Sequence, residues 1–280
     1  NYGFEAMLSY GHRWGDFGWD SSFTFSANKN EIVELVKDYV HPETGKTYNV
    51  DKLELKTDEG RGFGKAKFIL KEGGTLGDLY THADLKRDIN GNILIDDSGN
   101  VTAIDNAGDI KLGSVLPKAN LAWNNSFSYK GINAGFLLTA RLGGIVYSAT
   151  QAYLDLYGVS ETSAAARDAG GVWINGRSHV NPQSFYEVVA SQSGLPTYYT
   201  YSATNLRLQE AHIGYTVPRR WLGNVCDINV SLVGRNLWMI YCKAPFDPEA
   251  VATTNNYYQG IDYFMMPSTR NIGFNIKINF

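Results

Sequence analysis

The sequence predicts an all-β protein: an antiparallel, up-and-down transmembrane β-barrel segment of about seven strands with long extracellular loops. Three observations predict it. Apolar and polar residues alternate over several long segments, the connections between them run short, long, short, long, and the segments exceed the five or six residues usual in a soluble strand. Successive strand side chains point to opposite faces, so each segment offers one face to lipid and the other to a wet lumen. A sandwich strand alternates in the same way, so the connections must separate the two readings. Tight turns at one end and large loops at the other are how an outer-membrane barrel is built.

Tyr2 to His12 places Tyr2, Phe4, Ala6, Leu8 and Tyr10 opposite Glu5, Ser9 and Gly11. A short turn around Trp14-Gly15-Asp16 leads to a second strand with Phe17, Trp19, Phe23 and Phe25 on one face and Asp20, Ser22, Thr24 and Ser26 on the other. Asn28 to Pro117 is rich in Gly, Asp, Asn and Lys and is too long for a structureless loop, so it is expected to fold locally around Phe68-Ile69-Leu70 and Leu76 to Tyr80. Within it, Arg87 to Asn92 and Asp96 to Asn100 look faintly like calcium loops; the glycine spacing of an EF-hand is absent, and consecutive turns account for both. Ala119 to Tyr129 resumes the alternation through Leu121, Trp123, Phe127 and Tyr129, with Asn125 the exception. After Tyr129-Lys130-Gly131, one face carries Ile132, Ala134, Phe136, Leu138, Ala140, Leu142 and Val146, the other Asn133, Thr139 and Arg141.

A second long connection runs from about Ala149 to Ala203, with Ala164 to Asp168 read as a short helix. Leu206 and Leu208 then lie on one phase but Ala211, Ile213, Tyr215 and Val217 on the other, which predicts a β-bulge near Gln209. Pro218 to Trp221 makes a short turn before Ile228, Val230, Leu232 and Trp238, which face away from Asp227, Asn229, Ser231 and Arg235. A third long connection, Cys242 to Ser268, precedes the most regular strand, with Ile272, Phe274, Ile276, Ile278 and Phe280 on one face and Asn271, Gly273, Asn275, Lys277 and Asn279 on the other. Phe280 is expected in an interfacial aromatic belt with Trp14, Phe17, Tyr129 and Trp221. All eight prolines fall in connections or at strand margins.

Composition narrows the function. A net charge of −3 gives no basic field for nucleic acid, and 13% aromatic against 19% charged residues suits aromatic girdles and polar walls. No apolar run is long enough for a membrane helix. Cys226 and Cys242 bracket one strand, roughly 50 Å apart along it, too far for a disulfide. The sequence starts at Asn1 without Met, so it is read as a chain whose targeting segment was removed or as a piece of something longer. Five scattered His without ligand spacing, and no nucleophile elbow, P-loop or dinucleotide fingerprint, argue against an enzyme and for no cofactor. Asp247 and Glu249 form a carboxylate pair around Pro248, and a loop-structuring role suits them better than catalysis.

Several motifs resemble one family. Asn205-Leu206-Arg207-Leu208-Gln209-Glu210 with Ile213 to Pro218, Gly234-Arg235-Asn236-Leu237-Trp238, Phe246-Asp247-Pro248-Glu249 and Arg270-Asn271-Ile272-Gly273-Phe274 resemble the late-barrel signature of SusC/RagA-type TonB-dependent transporters. Leu70 to Gly74 with Gly77, and Gly113 to Lys118, look like the same family. The resemblance implies a barrel of about 22 strands with an amino-terminal plug, of which residues 1–280 would be the carboxy-terminal part without plug, TonB box or earlier strands. It implies a multi-pass outer-membrane, TonB-dependent importer of glycans or peptides that works with a SusD-like lipoprotein. The rival readings are a passive porin or adhesin barrel, and a soluble carbohydrate-binding sandwich. Candidate ligand contacts are Trp173, Arg177, Tyr198, Tyr199, Tyr201, Tyr257 and Tyr258, because aromatic faces stack on sugars or apolar peptide groups and loops carry binding residues. The same tyrosines also suit the small cores that such long loops need.

Overall fold

The computed structural model describes residues 1–55, 63–176, 178–223, 225–252 and 259–279. Seven strands form one antiparallel meander: β1 (Tyr2–Trp14), β2 (Phe17–Lys29), β3 (Ala119–Tyr129), β4 (Ile132–Leu142), β5 (Asn205–Val217), β6 (Asp227–Cys242) and β7 (Asn271–Asn279). They pair in chain order, with β1 and β7 as the sheet's edges. The three short connections lie at one end. Lys130 and Gly131, with φ of 46° and 89°, turn β3 into β4 as a two-residue loop, the conformation whose twist matches paired strands. The three long connections lie at the other end.

Register settles the two faces. One row across the sheet reads His12, Trp19, Phe127, Ala134, Ile213, Leu232 and Phe274; another on that face, four residues along, reads Leu8, Phe23, Trp123, Leu138, Leu208 and Trp238. Between them on the opposite face runs Ser9, Ser22, Asn124, Leu137, Glu210, Arg235 and Asn271. Arg141, Arg235, Asn275 and Lys277 all fall on this polar face, as expected for a lumen. On the apolar face Phe274 is 78% and Ile272 70% exposed, and among the described residues no second sheet packs over them. Phe136 and Leu138 are half-buried by their neighbours but also face outward.

The phase change in β5 is a bulge: Leu137 pairs with Glu210 and Leu138 with Leu208, which leaves Gln209 as the extra residue. Without it the leucines upstream would sit on the polar face. Asn125 does interrupt the apolar face, opposite Ser21. Trp19 Nε1 donates to Asn125 Oδ1 at 3.0 Å and Trp123 Nε1 to Ser21 Oγ at 3.0 Å, so two indoles cover polar groups that lipid would not solvate. Phe280 lies outside the described residues.

The long connections depart from the expectation of separate small cores. Phe68, Leu79 and Val115 of the first, Tyr147, Val180, Phe185, Val189 and Tyr199 of the second, and Ile261 of the third belong to one buried cluster. Strands at Ala66–Lys71 and Asp78–Thr81 form where the sequence placed the first connection's core, although Leu76 is exposed. Val146 is a correction. β4 ends at Leu142, and two positive-φ glycines, Gly143 and Gly144, turn the chain away from the wall. Val146 is instead fully buried in a small sheet where Ile145–Ser148 pairs antiparallel with Thr200–Ser202 and parallel with Ile261–Asp262. That parallel pair fastens the third connection to the second.

Four α-helices complete the second connection, the last a single turn at Pro196–Tyr199. α1 (Ala149–Leu156) starts at Ser148, whose Oγ accepts the Gln151 N–H; α2 (Glu161–Asp168) starts at Ser160; α3 (Pro182–Val189) starts at Asn181 with Pro182 at its first position. Cys226 and Cys242 are free thiols just before and at the end of β6.

Candidate functional site

Two places on the polar side and its loops carry organised chemistry. The first is a latch at the loop end of β5 and β6. Arg207, 4% exposed, donates from Nη2 to Asp247 Oδ1 at 2.6 Å and from Nη1 to Asn236 Oδ1 at 3.0 Å, with Glu249 Oε2 at 3.4 Å. Asn205 Nδ2 donates to Glu249 Oε1 at 3.2 Å. Asn236 has φ of 52°, a conformation Asn tolerates better than most residues, and its Nδ2 reaches the Thr269 carbonyl just before β7. Arg141 Nη2 donates to the Val115 carbonyl at 2.7 Å. The motifs around Asn205, Asn236, Asp247 and Val115 thus converge, and each ties a long connection to the wall.

Burial alone would raise the Asp247 carboxyl. Hydrogen bonds from Arg207, Ser268 and the Glu249 N–H together outweigh it and hold the group below the usual aspartate range. The carboxylate pair weighed for catalysis is therefore occupied in structure. A groove of about 820 Å³ runs along the polar face beside the latch, lined among others by Glu5, Thr24, Ser26, Asn120, Arg141 and Glu249.

The second place is an aromatic cavity of about 310 Å³ within the second connection. It brings together Trp173, Tyr198, Tyr199 and Tyr201 from the candidate contacts. Phe185 and Tyr186 of α3 and Asp155 of α1 line it too, and none of the three is among those candidates. Trp173 stands at the rim, 60% exposed, on the hairpin Val172–Ile174/Ser178–Val180, with its ring edge-to-face on His179 at 3.8 Å. Tyr198 packs edge-on against Phe185 at 5.9 Å, and Tyr201 against Phe246 of the third connection at 5.4 Å. Tyr199 is buried and donates from its hydroxyl to Asp155 Oδ2 at 3.0 Å. Burial first, then the Asp155 charge, push its hydroxyl and that of Tyr201 far above the usual tyrosine value, so both remain neutral donors. Arg177, Tyr257 and Tyr258 lie outside the described residues.

Two sequence signals pointed at the missed wall. Ser148-Ala149-Thr150-Gln151 has the capping-box spacing that opens α1, and Asn181-Pro182 opens α3. From those starts Asp155 and the pair Phe185-Tyr186 follow on the inner helix faces. The two acidic Gly/Asn runs are turns: Asp88 Oδ1 accepts the Asn90 and Asn92 N–H groups, and Asp96 Oδ1 those of Ser98 and Asn100.

A long-stranded antiparallel meander, apolar outside and polar inside, with tight turns at one end and a folded cap at the other, is the wall of an outer-membrane β-barrel. No family model matches the chain. It is 25% identical over 94% of its length to TonB-dependent receptor P3 of Formosa agariphila, and 25% identical over its whole length to TonB-dependent receptor P26 of that organism. It spans 27% and 29% of the length of those two relatives. Among solved structures it superposes on the RagAB peptide transporter with a TM-score of 0.65 at 16% identity. On the closed-closed state of the RagAB peptide importer the TM-score is 0.63 at 16% identity, and in both cases 99% of this chain aligns with 29% of the other. In sequence the chain is thus similar to one stretch of TonB-dependent receptors, and its fold is that of the corresponding barrel wall in the RagAB peptide transporter.

Proposed function

We propose that this chain is the carboxy-terminal wall and loop cap of a larger outer-membrane importer. The import is TonB-dependent, takes glycans or peptides, and works with a SusD-like surface lipoprotein and with a plug and TonB contact supplied elsewhere in the protein. The observation that carries the reading is the union of the three long connections into one folded cap, fastened to the polar face through Arg207, Asp247 and Arg141. A passive pore needs no such cap, whereas a gated importer must hold its ligand at the mouth before the lumen opens. The names of the relatives support the same direction. In this reading Trp173, Arg177, Tyr198, Tyr199, Tyr201, Tyr257 and Tyr258 belong to the ligand-contacting part of the cap. The test is uptake of labelled oligopeptides and oligosaccharides by cells that express the full-length protein, with and without an active TonB system. Uptake that stops when TonB is removed is the expected result; uptake that continues would make the barrel a passive porin, and none at all an adhesin.

A further inference from the structure

The wall of the aromatic cavity includes a buried carboxylate. Asp155 is 5% exposed at the end of α1. Its Oδ1 accepts from Gln151 Nε2 at 3.0 Å and its Oδ2 from the Tyr199 hydroxyl at 3.0 Å. Both donors are neutral. Among the described residues no Lys, Arg or His nitrogen lies within 4.0 Å of it. Arg87, near Tyr198, is engaged by Asp84 and the Gly91 carbonyl, and Arg167 lines, together with Asp155, the neighbouring cavity without coming within 4.0 Å of its carboxylate. A buried carboxylate in contact with neutral donors alone is costly to keep charged, and a cation brought into the cavity would offset that cost.

The rest of the wall supplies what such a cation would need. Trp173, Tyr186, Tyr198 and Tyr201 present ring surfaces around the same space, and ring faces attract cations most strongly where water is excluded. Trp173 and Asn175 are exposed at the rim, so the cavity opens outward there. Its volume suits one side chain or one sugar ring, not a whole polymer.

We propose that this cavity binds a protonated amine, presented either by a basic peptide side chain or by an amino sugar. The inference rests on the cap being ligand-contacting and narrows its substrate class to ligands that carry an amine; a neutral glycan or an apolar peptide would bring no cation to Asp155. The amine seats its cation over the rings of Trp173 and Tyr198 and its N–H groups toward Asp155.

The experiment is calorimetric titration of the purified full-length protein in detergent with four probes: Nα-acetyl-Ala-Lys-Ala, the glucosamine trisaccharide, and the form of each with its remaining amines acetylated. At least one amine should bind, and acetylation should weaken that probe by about tenfold or more. Which amine binds names the source. Asp155→Asn should produce a similar loss for the amine and leave the acetylated probe unchanged. Trp173→Ala, on the exposed rim, tests the cation–ring contact without touching the core. Equal binding of the acetylated forms overturns the proposal, as does binding unaltered in both variants or absence of amine binding, which would mean the site is already filled. Amine binding without TonB-dependent uptake would keep the cavity and remove the import reading. TonB-dependent uptake by a protein whose probe binding ignores acetylation would do the reverse.

Discussion

Arg207 shows how much one side chain can hold. It sits 4% exposed between β5, β6 and the third connection, and three of its neighbours are the side chains of Asn236, Asp247 and Glu249. Removing one partner of a buried ion pair costs about 3–5 kcal/mol, because the other is left buried and uncompensated. Arg207→Ala should therefore lower the temperature at which the folded, heat-modifiable band disappears in detergent gels. Adding Asp247→Asn should recover part of the loss by removing the stranded charge. A double variant no better than the single one would mean the latch acts by shape and not by charge. The same pair sets an acid limit. The folded-state pKa of Asp247 is depressed, so its stabilisation is complete above the ordinary aspartate value of about 4 and is lost as pH falls through the lowered one. Unfolding followed from pH 6 down to pH 2 should show a fall at the acid end in the native protein that Arg207→Ala lacks.

At the scale of elements, the wall strands are legible in the sequence because lipid on one side and water on the other force a period of two. Ile272 to Asn279 and Ile132 to Leu142 read directly, and even the bulge at Gln209 follows from Leu208 and Ala211 being out of phase. The cap is less legible. α1 and α3 are each eight residues long and hold together through Ser148, Asn181 and contacts with distant segments, which periodicity cannot reveal. Val146 was drawn into the wall pattern because a buried cap strand and an outward-facing wall strand are both apolar; only the Gly143-Gly144 turn distinguishes them. The aromatic cavity was half visible, since tyrosine clustering is a local signal and the position of Asp155 is not. Two substitutions test the strand reading. Phe274→Lys, in the middle of β7 on the outer face, should cost about 2–4 kcal/mol, whereas Asn275→Lys beside it should cost little. Deleting Gln209 should slip Leu206 and Leu208 to the polar face and lower the amount of folded barrel recovered from vesicles.

At the scale of the whole molecule, six connections sort by length to two ends, and the long ones share a core. If they face outward from the cell, trypsin added to intact cells should cut at exposed Lys37 and Lys46 of the first connection, while the short turns at Lys130 and Arg219 survive. Cuts at the turns with the cap intact would reverse the orientation. The central claim is that one sheet face meets lipid and the other a watery lumen, and β7 tests it most directly. In the full-length protein with all its native cysteines replaced, Cys226 and Cys242 among them, single cysteines are placed at positions 271 to 278 and challenged in vesicles with a membrane-impermeant maleimide. Asn271→Cys, Gly273→Cys, Asn275→Cys and Lys277→Cys should react, while Ile272→Cys, Phe274→Cys, Ile276→Cys and Ile278→Cys should resist it and respond to lipid-borne quenchers when carrying a fluorophore. Equal maleimide reactivity at odd and even positions, with no lipid quenching at either, would contradict the barrel.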